Sequence, residues 1–361
     1  MVGSARKDVD AVVLVGGQGT RLRPLTLSAP KPMLPTAGVP FLEHLLSRIK
    51  SVGIEHVVLG TSYKAETFTE YFGDGSAFGL RIEYLIESSP LGTGGAIRNV
   101  ADRLQAETTL VFNGDILSGV DLSELLETHR DNDADVTLHL VKVPDPRAFG
   151  SVPTDPTGRV QAFLEKTDNP PTDQINAGCY VFRRSVVESI PSGRVVSVER
   201  ETFPGLLAAG ARVFGHVDSS YWLDLGTPAD FVRGSADLVT GIAPTDALPG
   251  SVGAALVLPG ADVAEDAALS GGTTIGRGVV VGAGAVVDGA VVFDGAVIGA
   301  GARVTRSVIG AGARIGDRAV VEDAVVGDRA AIGSRCELRS GIRVWPGVTL
   351  PEAGVRFSAE E

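Results

Sequence analysis

Cysteine is almost missing: Cys179 and Cys336 are the only 2 in 361 residues, and they lie far apart. They offer neither a disulfide framework nor metal-ligand spacing, and read as small buried residues in a reducing compartment. Long apolar runs are missing as well, so nothing reaches the roughly 20 residues that a membrane-spanning helix needs. The apolar run after Arg6 and Lys7 is too short for a signal peptide and lacks a cleavage-like end. A cytoplasmic protein is expected. There is no basic excess: 32 Lys and Arg face 44 Asp and Glu, a net charge of −12. That balance argues against nucleic acid or an anionic membrane as partner and leaves small-molecule substrates. Two nucleotide signatures are absent, the Walker A loop and the Gly-x-Gly-x-x-Gly dinucleotide fingerprint. Histidine is one-sided: all 5 (His44, His56, His129, His139, His216) precede residue 241.

What is present begins with an apolar run, Ala11 to Val15, that reads as a buried strand. Gly16, Gly17 and Gly19 follow, then Thr20, Arg21, Leu22, Arg23, Pro24, Leu25 and Thr26, and later Lys31-Pro32. Glycines let the backbone turn with positive φ and come close to a ligand, and exposed N–H groups in such a turn cradle anions. No acid lies between Asp10 and Glu43. In an acidic chain that gap marks a polyphosphate site. Up to about residue 240 strand-like and helix-like segments alternate, which predicts an α/β domain with a mostly parallel sheet. Expected strands include Thr108 to Phe112, Val160 to Phe163 and Ile175 to Phe182. The loop Leu91-Gly92-Thr93-Gly94-Gly95 opens a helix running through Leu104. Asn113-Gly114-Asp115 sits at the carboxyl end of its strand, where ligands gather in open α/β sheets. Ser197 is an expected helix N-cap, with Arg200 where a capping box wants Glu.

Residues 241–255 read as a linker between a domain at 1–240 and one at 256–361. Beyond it Gly, Ala and Val dominate, and aliphatic residues recur in steps of mostly six: Ile275, Val281, Val287, Ile298, Val304, Ile309, Ile315, Val321, Val326, Ile332, Leu338. Gly commonly follows, as in Ile275-Gly276 and Ile309-Gly310, and is expected to allow the corner. The pattern predicts a left-handed parallel β-helix of hexapeptide repeats. Similar helices that transfer acyl groups use a His, and this one has none. A structural or homo-oligomer-forming role is expected for it.

The run Gly-Gly-x-Gly-Thr-Arg-Leu-x-Pro-Leu-Thr with its Lys-Pro resembles the signature of the sugar-nucleotide pyrophosphorylases, most of all those that form GDP-mannose. The likeness covers nearly the whole chain. It implies a Rossmann-like nucleotidyltransferase domain that joins a nucleoside triphosphate, here GTP, to a sugar 1-phosphate, here mannose 1-phosphate, with Mg²⁺. Nucleotide contacts are implied for Leu14, Gly16, Gly17, Gly19, Thr20, Arg21, Glu87, Gly92, Thr93 and Asn113. Arg21 and Lys31 fall to the phosphates; Arg23 is either a further contact or a surface residue. Asp115 and Asp224 match the family's metal-binding aspartates. Glu165-Lys166 matches its Glu-Lys pair, the carboxylate for sugar hydroxyls and Lys166 for the 1-phosphate, with Gly150 and Asn176 beside the sugar. Arg21, Lys31, Asp115, Lys166 and Asp224 are thus the implied catalytic set. Glu87 has two readings: an acceptor for the two adjacent donors of guanine, or a solvated loop acid that leaves base choice to the backbone of Gly92 and Thr93. The alternatives within the class are UDP- or dTDP-glucose or a GDP-heptose as product. Outside it stands a catalytically weak regulatory subunit.

Overall fold

A computed structural model describes residues 6–87, 89–250 and 252–356. The chain forms two compact units. One runs up to Gly17 and resumes at Leu45–Trp222; the other takes Gln18–His44 and the chain from Leu223 onward. The expected boundary near residue 240 lies inside the second unit, and the glycine-rich signature is divided between the two.

In the first unit a seven-stranded sheet is ordered Val213–Asp218, Val136–Lys142, Gln174–Arg183, Thr108–Asn113, Val9–Leu14, His56–Thr61 and Arg81–Ile86. Gln174–Arg183 runs antiparallel to both neighbours, and the other pairings are parallel. The central strands are covered on both faces, so Val9–Leu14 and Val136–Lys142 are buried nearly throughout and mainly apolar. The polar exceptions on Val136–Lys142 have partners: Thr137 Oγ1 meets His129 Nδ1 at 3.0 Å, and His139 Nε2 meets Asp218 Oδ1 at 2.9 Å. Tyr180, Phe182 and Phe203 fill the core beneath. The expected strand Val160 to Phe163 does not form; Val160 makes only an isolated bridge to Thr154. The expected helix after the second glycine loop is shorter, Gly92–Asn99, and a 3₁₀ turn Ala101–Arg103 completes the run.

In the second unit three parallel sheets of six, six and five strands stack coil upon coil, as a left-handed parallel β-helix requires. Every aliphatic of the predicted ladder, Ile275 through Leu338, is at most 2 % exposed. The glycines that follow them work differently from expectation. A Cβ on Gly276 would lie 2.7 Å from the backbone N of Asp294, and one on Gly316 would lie 2.4 Å from that of Ser334. Glycine is therefore needed for close stacking of the next coil. The left-handed corner falls two residues later, at Gly284 (φ 63°) after Gly282 and at Arg318 (φ 56°) after Gly316.

One wall of this helix is not exposed. The outward residues Val291, Val308 and Val325 are 1 %, 0 % and 2 % exposed, and they pack with Leu22, Leu25, Leu34, Phe231 and Val232. Phe231 and Val232 belong to the helix Pro228–Thr240, which Thr227 caps by accepting from Asp230 N at 3.2 Å. Ser235 on that helix receives the Ala37 N–H at 2.9 Å and lies 3.3 Å from Thr274 Oγ1.

Candidate active site

In the first unit the strands Val9–Leu14 and Thr108–Asn113 pair in register to their carboxyl ends, Leu14 opposite Asn113. The chain then continues into Val15, Gly16 and Gly17 from one strand and Gly114 and Asp115 from the other. Gly114 N donates to Leu14 O at 2.9 Å, and a Cβ there would come within 2.6 Å of Val15 Cγ1. Glycine is thus required beside Asp115 by packing alone. Gly16 is pressed on Ser62, whose hydroxyl donates to Gly16 O at 2.5 Å. Gly17 differs: a Cβ there would meet nothing within 4 Å, so its lack of a side chain leaves open space above exposed backbone. Asn113 Oδ1 is buried without a hydrogen-bond partner, and a buried orphan acceptor is costly enough to signal a missing donor or cation.

A second cluster in this unit joins residues from two loops and the strand Gln174–Arg183. A Cβ on Gly150 would lie 3.2 Å from Glu165 Oε2 and 3.1 Å from Phe163 Cε1, so Gly150 gives that carboxylate its room. Asn176 N donates to Gly150 O at 2.9 Å. The Asn176 amide donates to Tyr180 Oη at 2.8 Å and accepts from Gly178 N at 3.1 Å, leaving one N–H and one lone pair. Burial drives the Tyr180 phenol well above its ordinary pKa, which keeps it a neutral partner. Lys166 holds φ 29°, a left-handed conformation rare for a side chain with Cβ. Strain of this kind collects at ligand sites.

The second glycine loop is clamped by residues that the sequence did not single out for it. Gly94 N and Gly95 N both reach Val196 O, at 2.8 and 3.2 Å. A Cβ on Gly92 would sit 2.6 Å from the same oxygen. The Thr93 hydroxyl donates to Glu199 Oε2 at 2.9 Å and accepts from Val198 N at 3.0 Å. Ser197 does cap: its hydroxyl accepts from Arg200 N at 3.2 Å, and Glu201 Oε1 accepts from Ser197 N at 3.2 Å. The capping box is complete but one residue longer than usual, because Val198–Thr202 is a π-turn. Glu87 turns one oxygen to Leu91 N at 3.3 Å, and burial raises its carboxyl above the usual range.

The second unit brings four predicted residues together. Gly19 adopts φ 58° and opens the 3₁₀ turn Thr20–Leu22; Thr26 Oγ1 donates to Gly19 O at 2.9 Å. The Arg21 guanidinium lies over Gly226, where a Cβ would be 2.7 Å from Nη2. Arg21 Nη2 is 3.9 Å from Asp224 Oδ2, and Lys31 Nζ is 3.5 Å from Asp224 Oδ1. Lys31 is buried while the Arg21 side chain is 66 % exposed. A buried point charge and an exposed planar fork thus share one carboxylate, and the fork can reach a polyanion. Arg23 is exposed.

Among the described residues no three His, Cys, Asp or Glu side chains gather as metal ligands. Mg²⁺ needs less, since it takes one or two carboxylates with phosphate and water oxygens. Asp115 and the orphaned Asn113 Oδ1 are hard oxygen donors of that type. The residues fit the ion.

Residues 10–241 match the Nucleotidyl transferase family and residues 251–358 match the GMPPB C-terminal domain. The chain is 66 % identical over 357 residues, 99 % of both chains, to a mannose-1-phosphate guanylyltransferase of Mycobacterium tuberculosis. It is 35 % identical over 270 residues to a mannose-1-phosphate guanylyltransferase catalytic subunit beta of Drosophila pseudoobscura pseudoobscura, covering 71 % of this chain and 70 % of that one. The crystal structure of HddC from Yersinia pseudotuberculosis complexed with GMP-PN superposes with TM-score 0.56 at 30 % identity, covering 63 % of this chain and 99 % of that one.

Proposed function

The chain belongs to the nucleotidyl transferase family, and from that premise we propose that it makes GDP-mannose and pyrophosphate from GTP and mannose 1-phosphate. The observation that carries the reaction class is the cluster of Arg21, Lys31 and Asp224 over Gly226. The likeness over 99 % of the chain to a mannose-1-phosphate guanylyltransferase supports the choice of substrates.

An oxygen of the sugar 1-phosphate attacks the α-phosphorus; a new P–O bond forms and the bond to pyrophosphate breaks. The attacking oxygen is already anionic at pH 7, so no general base is required, in keeping with signature motifs that contain no histidine. What the protein must do is bring two polyanions together and stabilise the leaving pyrophosphate. Arg21 and Lys31 are assigned to the β- and γ-phosphates, with the backbone of Gly16, Gly17 and Gly19 and the flanking Leu14, Thr20 and Asn113 along the nucleotide. Glu165 accepts from the sugar hydroxyls, Lys166 meets the 1-phosphate, and Asn176 uses its remaining N–H and lone pair beside Gly150. Mg²⁺ supplies charge neutralisation at the phosphates, and the family pattern assigns Asp115 and Asp224 as its carboxylate ligands. Glu87 accepts from guanine with the oxygen not turned to Leu91, beside Gly92 and Thr93. The cytoplasm is the assigned location, and a homo-oligomer the assigned assembly. Among the described residues no helix is long and apolar enough to cross a membrane.

The test is pyrophosphate release by the full chain with each of four nucleoside triphosphates against several hexose 1-phosphates, with Mg²⁺ or with excess EDTA. GTP with mannose 1-phosphate should lead, EDTA should abolish turnover, and Glu87→Gln should narrow the GTP-to-UTP ratio by about tenfold. No release with any pair would favour the regulatory, binding-only alternative.

A further inference from the structure

The turn that carries Arg21 is short and cannot hold itself. Thr20–Leu22 is a single 3₁₀ turn in which Leu22 N bonds to Gly19 O and Arg23 N to Thr20 O. Carbonyls at the end of such a turn have no partner within it and must find one elsewhere. Leu22 gives the turn an apolar root, since it is fully buried against Val291, Val308 and Val325 on the covered wall of the β-helix.

That wall continues by one strand. Val325 pairs in register with Arg343, as Val308 pairs with Val325. Where the ladder has offered valine, the last rung offers a guanidinium. Arg343 Nη1 donates to Arg21 O at 2.8 Å and to Arg23 O at 2.9 Å. These two carbonyls flank Leu22, so the backbone on either side of the buried root is pinned from the final coil. A cationic side chain is the natural partner for orphan carbonyls at the end of a turn.

We propose that Arg343 is a positioning residue for nucleotidyl transfer: by clasping the backbone of residues 21–23 it aims the Arg21 guanidinium at the polyphosphate, so that the last coils of the β-helix serve the chemistry. This rests on the assignment of Arg21 to the nucleotide phosphates made above. It also revises the role expected of the β-helix from composition alone, which was structural or oligomer-forming.

The test uses the full-length protein with Arg343→Ala, Arg343→Lys and, as a control, Arg335→Ala. Arg335 pairs across the coil with Glu352 and lies outside the site. Arg343→Ala should lower kcat/KM for GTP about tenfold while KM for mannose 1-phosphate stays within about twofold. The thermal midpoint should change little, because Arg343 is an exposed side chain. Arg343→Lys should recover part of the loss, and Arg335→Ala should match wild type. In an Arg21→Ala background the further effect of Arg343→Ala should shrink to less than about twofold, as expected of residues acting as a unit. Wild-type kinetics in Arg343→Ala, equal losses toward both substrates, or an undiminished effect in the Arg21→Ala background would each overturn the inference. A second readout needs no turnover. Trypsin should cut the Arg21–Leu22 bond of Arg343→Ala about tenfold faster than that of wild type, and equal cutting rates would overturn the clasp. If wild type makes no product but the cutting rates differ, the assignment of function has failed and the clasp has not.

Discussion

Gly150, Glu165 and Asn176, assigned above to the sugar phosphate, and Arg21, Lys31 and Asp224, assigned to the nucleotide and its metal, are held in place in two different ways. The first group sits in one short stretch of the first unit, fixed by a backbone hydrogen bond and by the room that a missing Cβ leaves for a carboxylate. The second joins residues far apart in sequence through ion pairs, and the turn beneath it rests on the wall of a β-helix. Groups assembled by local backbone should tolerate remote mutations. Groups assembled by side chains on a distant platform should not.

The sharpest break in that contrast should come from the aspartates. Asp224→Ala removes the carboxylate that lies 3.5 Å from the buried Lys31 Nζ, and losing a partner of a buried ion pair costs up to roughly 3–5 kcal/mol. Turnover and stability should both fall. Asp115 is half-buried in the other unit, so Asp115→Asn should lose as much turnover, by orders of magnitude, with a much smaller change in the unfolding midpoint. Urea unfolding alongside pyrophosphate release separates the two. Equal stability losses would erase the distinction.

Next in size are substitutions on the β-helix itself. Val308 is 0 % exposed and Val280 is 40 % exposed. Val308→Asp buries an unpaired acid and should cost about 3 kcal/mol, with a rise in KM for GTP; Val280→Asp should stay within about 0.5 kcal/mol. If both variants unfold at the same urea concentration, the wall is not the platform described.

Acid should act on both units through buried imidazoles. His44, in the second, is 1 % exposed, with Nε2 2.8 Å from Thr36 O and Nδ1 2.6 Å from Thr245 Oγ1; burial lowers its pKa to about 4. His129, in the first, is likewise lowered to about 4 by burial. The unfolded chain takes up these protons near the ordinary value of 6.5 while the folded one refuses them. Stability is therefore full above about pH 6.5 and falls as pH drops toward 4. Between pH 7 and 5 each histidine should cost about 2 kcal/mol. His44→Gln should flatten part of that slope in urea titrations, and an unchanged slope would remove His44 from the account.

The smallest effect belongs to the locally built group. Gly150→Ala puts a methyl 3.2 Å from Glu165 Oε2, so KM for mannose 1-phosphate should rise about tenfold or less, with KM for GTP unmoved. A shift in both constants would mean that the two groups are not separable in this way.

The same contrast explains what could be read from the sequence. Apolar runs and glycine positions revealed the sheet strands, the signature turn and the β-helix ladder, because local periodicity and backbone freedom are written in consecutive residues. Val160 to Phe163 misled because its apolar residues feed the core from an irregular segment, with Phe163 packed on Phe203. The family resemblance put Asp224 and Lys31 in one catalytic set but in separate roles, and their ion pair was not foreseen, since no local pattern encodes a pair so far apart. Glu199 and Arg343 were not legible at all. Each is one charged residue among many, and its meaning lies in a backbone or hydroxyl group brought to it by folding. The glycines of the β-helix were noticed for the wrong reason: they admit the neighbouring coil, and the corner is turned two residues on.

One measurement bears on the central claim that this chain joins GMP to mannose 1-phosphate. Full-length protein, Mg²⁺ and pyrophosphate are given an equimolar mixture of GDP-mannose, UDP-glucose, dTDP-glucose and ADP-glucose, and the reverse reaction is followed by ³¹P NMR. GDP-mannose should be consumed first, with GTP and mannose 1-phosphate appearing together and nothing forming without Mg²⁺. Preferential consumption of any other sugar nucleotide, or none of any, would contradict that claim.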